Sequence, residues 1–336
     1  WMASGGTAAS NGDALPVWSD DSPPLQLVAF DESGKGASGA PKLVVKEDTK
    51  RALLKAAGDR PAKVVAVCGL YRTGKSLLLN LLAGTQGAKA SFAVGDSVRA
   101  CTAGIWVHAS KPGSGSDGGV CLLLDCEGTG NTQRDREHDA RLFALAVLLS
   151  SFLVFNSRGV LDERAVQALA MAASLAQHIH KQHKDATAGV HPAPTFLWAL
   201  RDFALALEDT MGRPITEQEY LERILTEPPP VPGGTAEDAA RSAGAREARE
   251  KIKDLFPRRD CATLVRPVED EEQLQRLSQL PMTAFRPKFT EQIKALREKV
   301  LCGSAVLQTP TGQAATCGIF LALVEAHVEV MNAGGV

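Results

Sequence analysis

Apolar residues in this chain gather into short unbroken runs, and stretches with helical rhythm lie between them. Lys63–Cys68 (KVVAVC), Val120–Leu124 (VCLLL), Ser150–Phe155 (SSFLVF) and Thr195–Leu200 (TFLWAL) have the length and continuity of strands buried on both faces. Ser76–Ala83, Arg141–Leu149, Leu161–Lys184 and Glu217–Leu225 read as helices, the first of them stopped by Gly84. Leu25–Phe30 and Lys42–Val45 are short β-type runs around a Gly/Ser turn. Thr102–His108 is a further strand, Gly113–Gly119 a hairpin-like loop and Ala262–Val265 a late strand, with two helices near 289–301 and 314–332. Strands alternating with helices predict an α/β fold: a doubly wound, mostly parallel sheet with helices on both faces. The pattern divides the chain into a flexible segment over 1–24, one large domain over 25–310 and a C-terminal helical piece over 311–336. Segment 228–245 (PPPVPGGTAEDAARSAGA) is of low complexity and is expected to be a mobile surface loop.

Composition narrows the function classes. At 336 residues and 44% hydrophobic content the chain can bury a full core. A net charge of −2, with 37 basic residues spread along the sequence, supplies neither a basic field nor a basic–aromatic stripe for nucleic acid. Seven cysteines without a C-x-x-C pair read as small buried hydrophobes and suit a reducing compartment. The N-terminus lacks a basic-then-apolar secretory pattern, and the longest apolar stretch, Phe143–Phe155, is too short to span a bilayer. A cytoplasmic, soluble chain with no membrane contact of its own is expected.

The chemistry starts at Gly69–Ser76, GLYRTGKS, which fits G-x-x-x-x-G-K-[ST] between a strand and a helix. Backbone amides from Gly69, Leu70, Tyr71, Arg72, Thr73, Gly74, Lys75, Ser76 and Leu77, with the helix N-terminus, would cradle phosphate oxygens. Lys75 would reach the β- and γ-phosphates, and Ser76 would ligate Mg²⁺. Asp125-Cys126-Glu127-Gly128 closes the run 120–124. Asp125 is placed to hold a Mg²⁺ water and Gly128 to offer its N–H to a γ-phosphate. Thr102, in CTAGIW, could complete the metal shell in the triphosphate state. The strand TFLWAL runs into Arg201-Asp202, where a carboxylate can accept from guanine N1–H and the 2-amino group, a donor pair that adenine lacks. Arg72 adds a second cation beside Lys75. It has little to do for a ground state that Lys75 and Mg²⁺ already neutralise, and more for charge developing at the β–γ bridge in the transition state.

Taken together, GLYRTGKS, CTAGIW, DCEG with FALAVLLSSFLVFNS, LWALRDF and FPRRDCATLVRP resemble the guanylate-binding protein branch of the dynamin-like large GTPases, close to the atlastins, from about residue 25 onward. The resemblance implies a P-loop NTPase G domain that binds GTP and GDP with Mg²⁺ and hydrolyses GTP to GDP, with GMP as a further product in reach. It implies catalytic roles for Arg72, Lys75 and Glu127, guanine reading by Arg201 and Asp202, and a guanine cap covering Arg258–Pro267, with Arg266 at the nucleotide. It further implies a homodimer through the nucleotide faces in the GTP state, and a helical stalk beyond Val336. Two positions depart from the family. Ala100 stands where vertebrate members carry a proton-relaying Ser, and Glu269-Asp270-Glu271-Glu272 replaces a basic stretch. The first departure prompts an alternative, a GTP-gated self-association module with negligible turnover. An ATP-using P-loop enzyme is the other class weighed, and Asp202 argues against it.

Overall fold

A computed structural model describes residues 22–36, 41–86, 92–94, 103–110, 119–128, 136–184, 193–226, 236–309 and 311–334. Eight strands form one sheet: β1 (Leu25–Lys35), β2 (Pro41–Val45), β3 (Ala62–Gly69), β4 (Ile105–Ser110), β5 (Val120–Cys126), β6 (Phe152–Arg158), β7 (Thr195–Arg201) and β8 (Arg259–Leu264). Their order is β2-β1-β4-β5-β3-β6-β7-β8. The run β5-β3-β6-β7-β8 is parallel throughout, and antiparallel pairs are confined to the β2-β1-β4-β5 side. This is the mostly parallel α/β sheet that the alternating pattern predicts.

Alternate residues of the central strands serve two cores, as a period of two requires. Val64, Ala66 and Cys68 of β3, with Leu122, Leu124 and Cys126 of β5, face one apolar cluster. Val65, Val67, Cys121 and Leu123 face the other. The first cluster is covered by α3 (Arg136–Leu149), α4 (Glu163–Lys184) and α9 (Cys317–Asn332), the last through Phe320, Leu321, Val324, Val328 and Met331. The second is covered by α2 (Lys75–Ala83) and α8 (Pro287–Gly303). The chain leaves β3 through α2 on one face, and reaches β6, on the other side of β3, through α3 on the opposite face. The carboxyl end of β3 is therefore where the winding reverses, and crevices that take ligands form at that point of an open α/β sheet.

Two segments differ from their expected form. Glu47–Ala57 forms a helix, α1, which the hydrophobic pattern does not announce: EDTKRALLKAA is polar in its first half. Its buried side is Thr49, Ala52, Leu53 and Ala57, with Glu47 and Asp48 complementing the N-terminal dipole. The other difference is a correction to the expected mobile loop over 228–245. Residues 236–245 open a 20-residue helix, α6 (Ala236–Leu255), and 228–235 lie outside the described residues. Alanine- and charge-rich sequence favours a helix once one face can pack. Ala248 and Ile252 bury into the first cluster, and Arg249 Nη2 lies 2.7 Å from Glu163 Oε2 of α4. Helix α5 (Glu217–Thr226) lies against β8. The cysteines at 68, 121, 126, 261 and 317 are buried and free, and Cys302 is exposed. Burial pushes the Cys121 thiol up to about 11. Among the described residues no helix is long and apolar enough to cross a membrane.

Candidate functional site

β3 ends at Gly69, whose φ is +138°. A Cβ there would lie 2.0 Å from the carbonyl oxygen of Asn156 in β6, so only glycine lets the loop leave between two parallel strands. Arg72 (φ 61°) and Gly74 (φ 80°) both take left-handed conformations, and α2 starts at Lys75 with no side-chain cap on its first amides. Those N–H groups need acceptors, and the helix dipole favours an anion. A positive φ on arginine is uncommon and holds only where the surroundings over-determine it. The surroundings do so here. Thr73 Oγ1 donates to Leu70 O at 2.8 Å, and Asn156 Nδ2 donates to both Thr73 O and Thr73 Oγ1 at 2.9 Å. Lys75 Nζ donates to Leu70 O at 3.1 Å. Asn156 lies in the run FALAVLLSSFLVFNS, but no role was read for it from the sequence. Its signal was one amide side chain closing an otherwise apolar strand.

The acidic turn packs directly on this loop. Ser76 Oγ donates to Asp125 Oδ2 at 2.7 Å, and Asp125 is only 1% exposed. A Cβ on Gly128 would stand 2.5 Å from Lys75 Nζ and 2.7 Å from Tyr71 Cα, so the turn has no room for a side chain. Lys75 is buried, and desolvation pushes its amine below the ordinary lysine value while the nearby Asp125 carboxylate pulls it back up. Glu127 is buried as well. Gly104 N donates to its Oε2 at 3.0 Å and Glu127 N donates to Gly104 O at 2.9 Å, tying the turn to the segment before β4. Thr102 and Ala100 lie outside the described residues.

At the end of β7 the paired Arg201 and Asp202 diverge. Arg201 is buried, its Nη1 donates to Gly74 O at 3.4 Å and its guanidinium lies 5.8 Å from the Phe289 ring centre. Burial lowers its pKa to about 10, with Asp202 opposing. Arg201 thus braces the phosphate loop from behind. Asp202 takes a left-handed backbone (φ 56°) and accepts Arg158 Nε at 3.1 Å and Nη2 at 2.7 Å on the one oxygen Oδ2. The acidic stretch also has structural work. Asp270 Oδ1 caps α7 (Glu271–Gln275) by accepting from Gln273 N at 2.8 Å, Glu271 lies 3.8 Å from Arg266, and Glu269 lies 3.5 Å from Arg286.

A cavity of about 360 Å³ joins these parts. It is lined by residues 71–77, Gly128, Arg158, Arg201, Asp202, Pro267 and Leu274. Of the sequence-predicted residues, Tyr71, Arg72, Thr73, Gly74, Lys75, Ser76, Leu77, Gly128, Arg201 and Asp202 therefore meet around one space. Gly69 and Leu70 frame the loop, and Asp125 and Glu127 stand behind Ser76 and Gly104. Arg266 instead lines a second cavity of about 850 Å³, which shares Arg158 and Asp202 with the first. Arg72 is exposed, 5.6 Å from the Tyr71 ring centre. No group of three or more His, Cys, Asp or Glu forms a metal site among the described residues. The Ser76 hydroxyl against the Asp125 carboxylate is a pair of hard oxygen donors. It fits Mg²⁺, which keeps several waters and takes few protein ligands.

Comparison with known proteins shows the family of the chain. The family model for the N-terminal domain of guanylate-binding proteins matches residues 41–309. Mouse guanylate-binding protein 6 is 34% identical over 290 residues, covering 83% of this chain and 45% of the relative. Mouse guanylate-binding protein 2 is 34% identical over 80% of this chain and 46% of the relative. Guanylate-binding protein 1 of Chlorocebus aethiops is 37% identical over 70% and 39%. The chain thus spans less than half the length of these relatives. A bacterial selenocysteine-specific elongation factor of known structure aligns over 73% of this chain and 29% of its own at 11% identity, with a TM-score of 0.33. That likeness is too slight to carry an argument.

Proposed function

The chain belongs to the guanylate-binding protein family, and from that premise we propose that it binds guanine nucleotide in the cavity at the end of β3 and hydrolyses GTP. The observation that carries this reading is the convergence of Lys75, the Ser76–Asp125 hydrogen bond and the side-chain-free Gly128 at the uncapped start of α2. The amides of the loop and of the first turn of α2 bind phosphate oxygens. Lys75, relieved of its desolvation by phosphate charge, holds the β- and γ-phosphates. Ser76 and Asp125 would hold Mg²⁺, the latter through water, with Thr102 as a further ligand in the triphosphate state. Bound there, the ion would neutralise charge on the β- and γ-oxygens. Gly128 N–H meets the γ-phosphate, and Asp202 accepts from the guanine edge with Arg201 supporting the loop behind it.

Catalysis rests on two side chains in this reading. Arg72 swings from the Tyr71 ring to the β–γ bridge and offsets charge there, an arginine finger supplied in cis. An exposed arginine needs something to aim it, and a second copy of the chain docked across the nucleotide face does so in the triphosphate state. Glu127 positions the attacking water or takes its proton. One observation favours the alternative of a GTP-gated self-association module with negligible turnover: Glu127 Oε2 is engaged by the Gly104 amide. Release of phosphate over many turnovers separates the two. Lys75→Ala tests the shared premise. GTP and GDP binding by isothermal titration calorimetry should weaken by orders of magnitude, and wild-type affinity would remove the cavity from the reading.

A further inference from the structure

Asp202, the residue that follows β7, lies between two guanidiniums with different surroundings. Arg158, the last residue of β6, is in register with Arg201 across the parallel pair. Arg201 is buried and turned back to the phosphate loop. The Arg158 side chain is 62% exposed, and it places both Nε and Nη2 on Asp202 Oδ2. Arg158 and Asp202 border both the cavity at the phosphate loop and the second cavity that Arg266 lines, so their ion pair stands where the two spaces meet.

Arg158 brings two N–H groups onto Oδ2 from one side and so occupies the approach to that oxygen. A guanine that reads the acid with its N1–H and 2-amino group needs both oxygens, including this one. We propose that Arg158 is a specificity-determining residue that competes with the guanine base for Asp202 and so limits this chain's own preference for guanine. The inference rests on Asp202 being the base-reading acid. The exchange is donor for donor, because two N–H groups of a guanidinium leave as two N–H groups of the base arrive. Exposed ion pairs are worth little, so guanine wins the exchange at reduced affinity. Adenine offers no such donor pair and does not call on Asp202. Removing Arg158 therefore benefits a guanine nucleotide and not an adenine nucleotide. The general effect of deleting a positive charge near phosphates is common to both and cancels in their ratio.

The experiment is titration of GDP and ADP against the chain as Arg158→Ala, Asp202→Asn and the double variant, with stopped-flow kinetics of a fluorescent GDP. Arg158→Ala should widen the GDP:ADP affinity ratio by about two- to fivefold, the scale of an exposed ion pair. The dissociation rate should not change, since the pair is absent once guanine is seated, and Arg158→Lys, limited to a point donor, should fall between. In the Asp202→Asn background the effect should vanish. If Asp202→Asn collapses the ratio but Arg158→Ala leaves it unchanged, or narrows it with faster dissociation, Arg158 does not compete and the base-reading role of Asp202 survives. If Asp202→Asn leaves the ratio intact, the base-reading assignment fails, and the competition with it.

Discussion

Replacing Asn156 by alanine should loosen the phosphate loop from behind without touching the nucleotide. Asn156 is fully buried in β6, and its Nδ2 donates to the carbonyl and the hydroxyl of Thr73, each at 2.9 Å. Those two bonds hold the turn just before α2, where Arg72 and Gly74 sit at positive φ. A net contribution of about 0.5–1.5 kcal/mol per hydrogen bond gives about 1–3 kcal/mol for the pair. Thr73 O is left in a dry environment, and the truncation leaves a small void, so the upper half of that range is expected. In a domain of this size, about 1.5 °C of Tm is lost per kcal/mol. Thermal unfolding followed by circular dichroism should show the drop. GDP affinity should fall as well, because binding must then order the loop. Asn156→Asp sharpens the test: it keeps the volume and replaces a donor with an acceptor facing Thr73 O, so it should be at least as damaging. An Asn156→Ala protein with unchanged Tm and unchanged GDP affinity would refute the claim that this side chain holds the loop.

Other substitutions address the chemistry. Arg72→Ala should lose roughly 10²–10⁴-fold in turnover at saturating GTP, with GTP affinity changed by less than about tenfold, because the contact forms mainly in the transition state. The parent's specific activity should rise with protein concentration, and a flat profile would count against aiming of Arg72 by a second copy. Gly128→Ala places a Cβ 2.5 Å from Lys75 Nζ and 2.7 Å from Tyr71 Cα, so the turn must move off the loop. GTP affinity should suffer more than GDP affinity in calorimetry, and equal losses would argue against a γ-phosphate contact. Glu127→Gln keeps an acceptor for the Gly104 amide and Glu127→Ala does not. Slow phosphate release in both means that Glu127 handles the water or its proton; slow release in alanine alone means that it serves the link to Gly104.

The parallel sheet and the phosphate loop were legible in the chain because their causes are local. Buried strands such as Val120–Leu124 must be apolar at every position, and the glycines at 69 and 128 answer to close approaches that leave no room for a side chain. Helices α1 and α6 were not legible, since each is polar over much of its length and became helical by packing a narrow face on the first core. The phosphate-loop residues came together as their spacing implied. Their supports came from elsewhere in the chain: Asn156 from β6 and Arg201 from β7, the latter read from sequence as facing the base and found turned back toward Gly74. Arg158 had no signal at all. It is an ordinary exposed arginine at a strand end, and only parallel pairing of β6 with β7 brings it to Asp202. Sequence specifies residues whose function depends on their own backbone or neighbours. The partners 44 residues away from Asp202, or 83 from Thr73, are chosen by strand order, which a linear pattern does not encode.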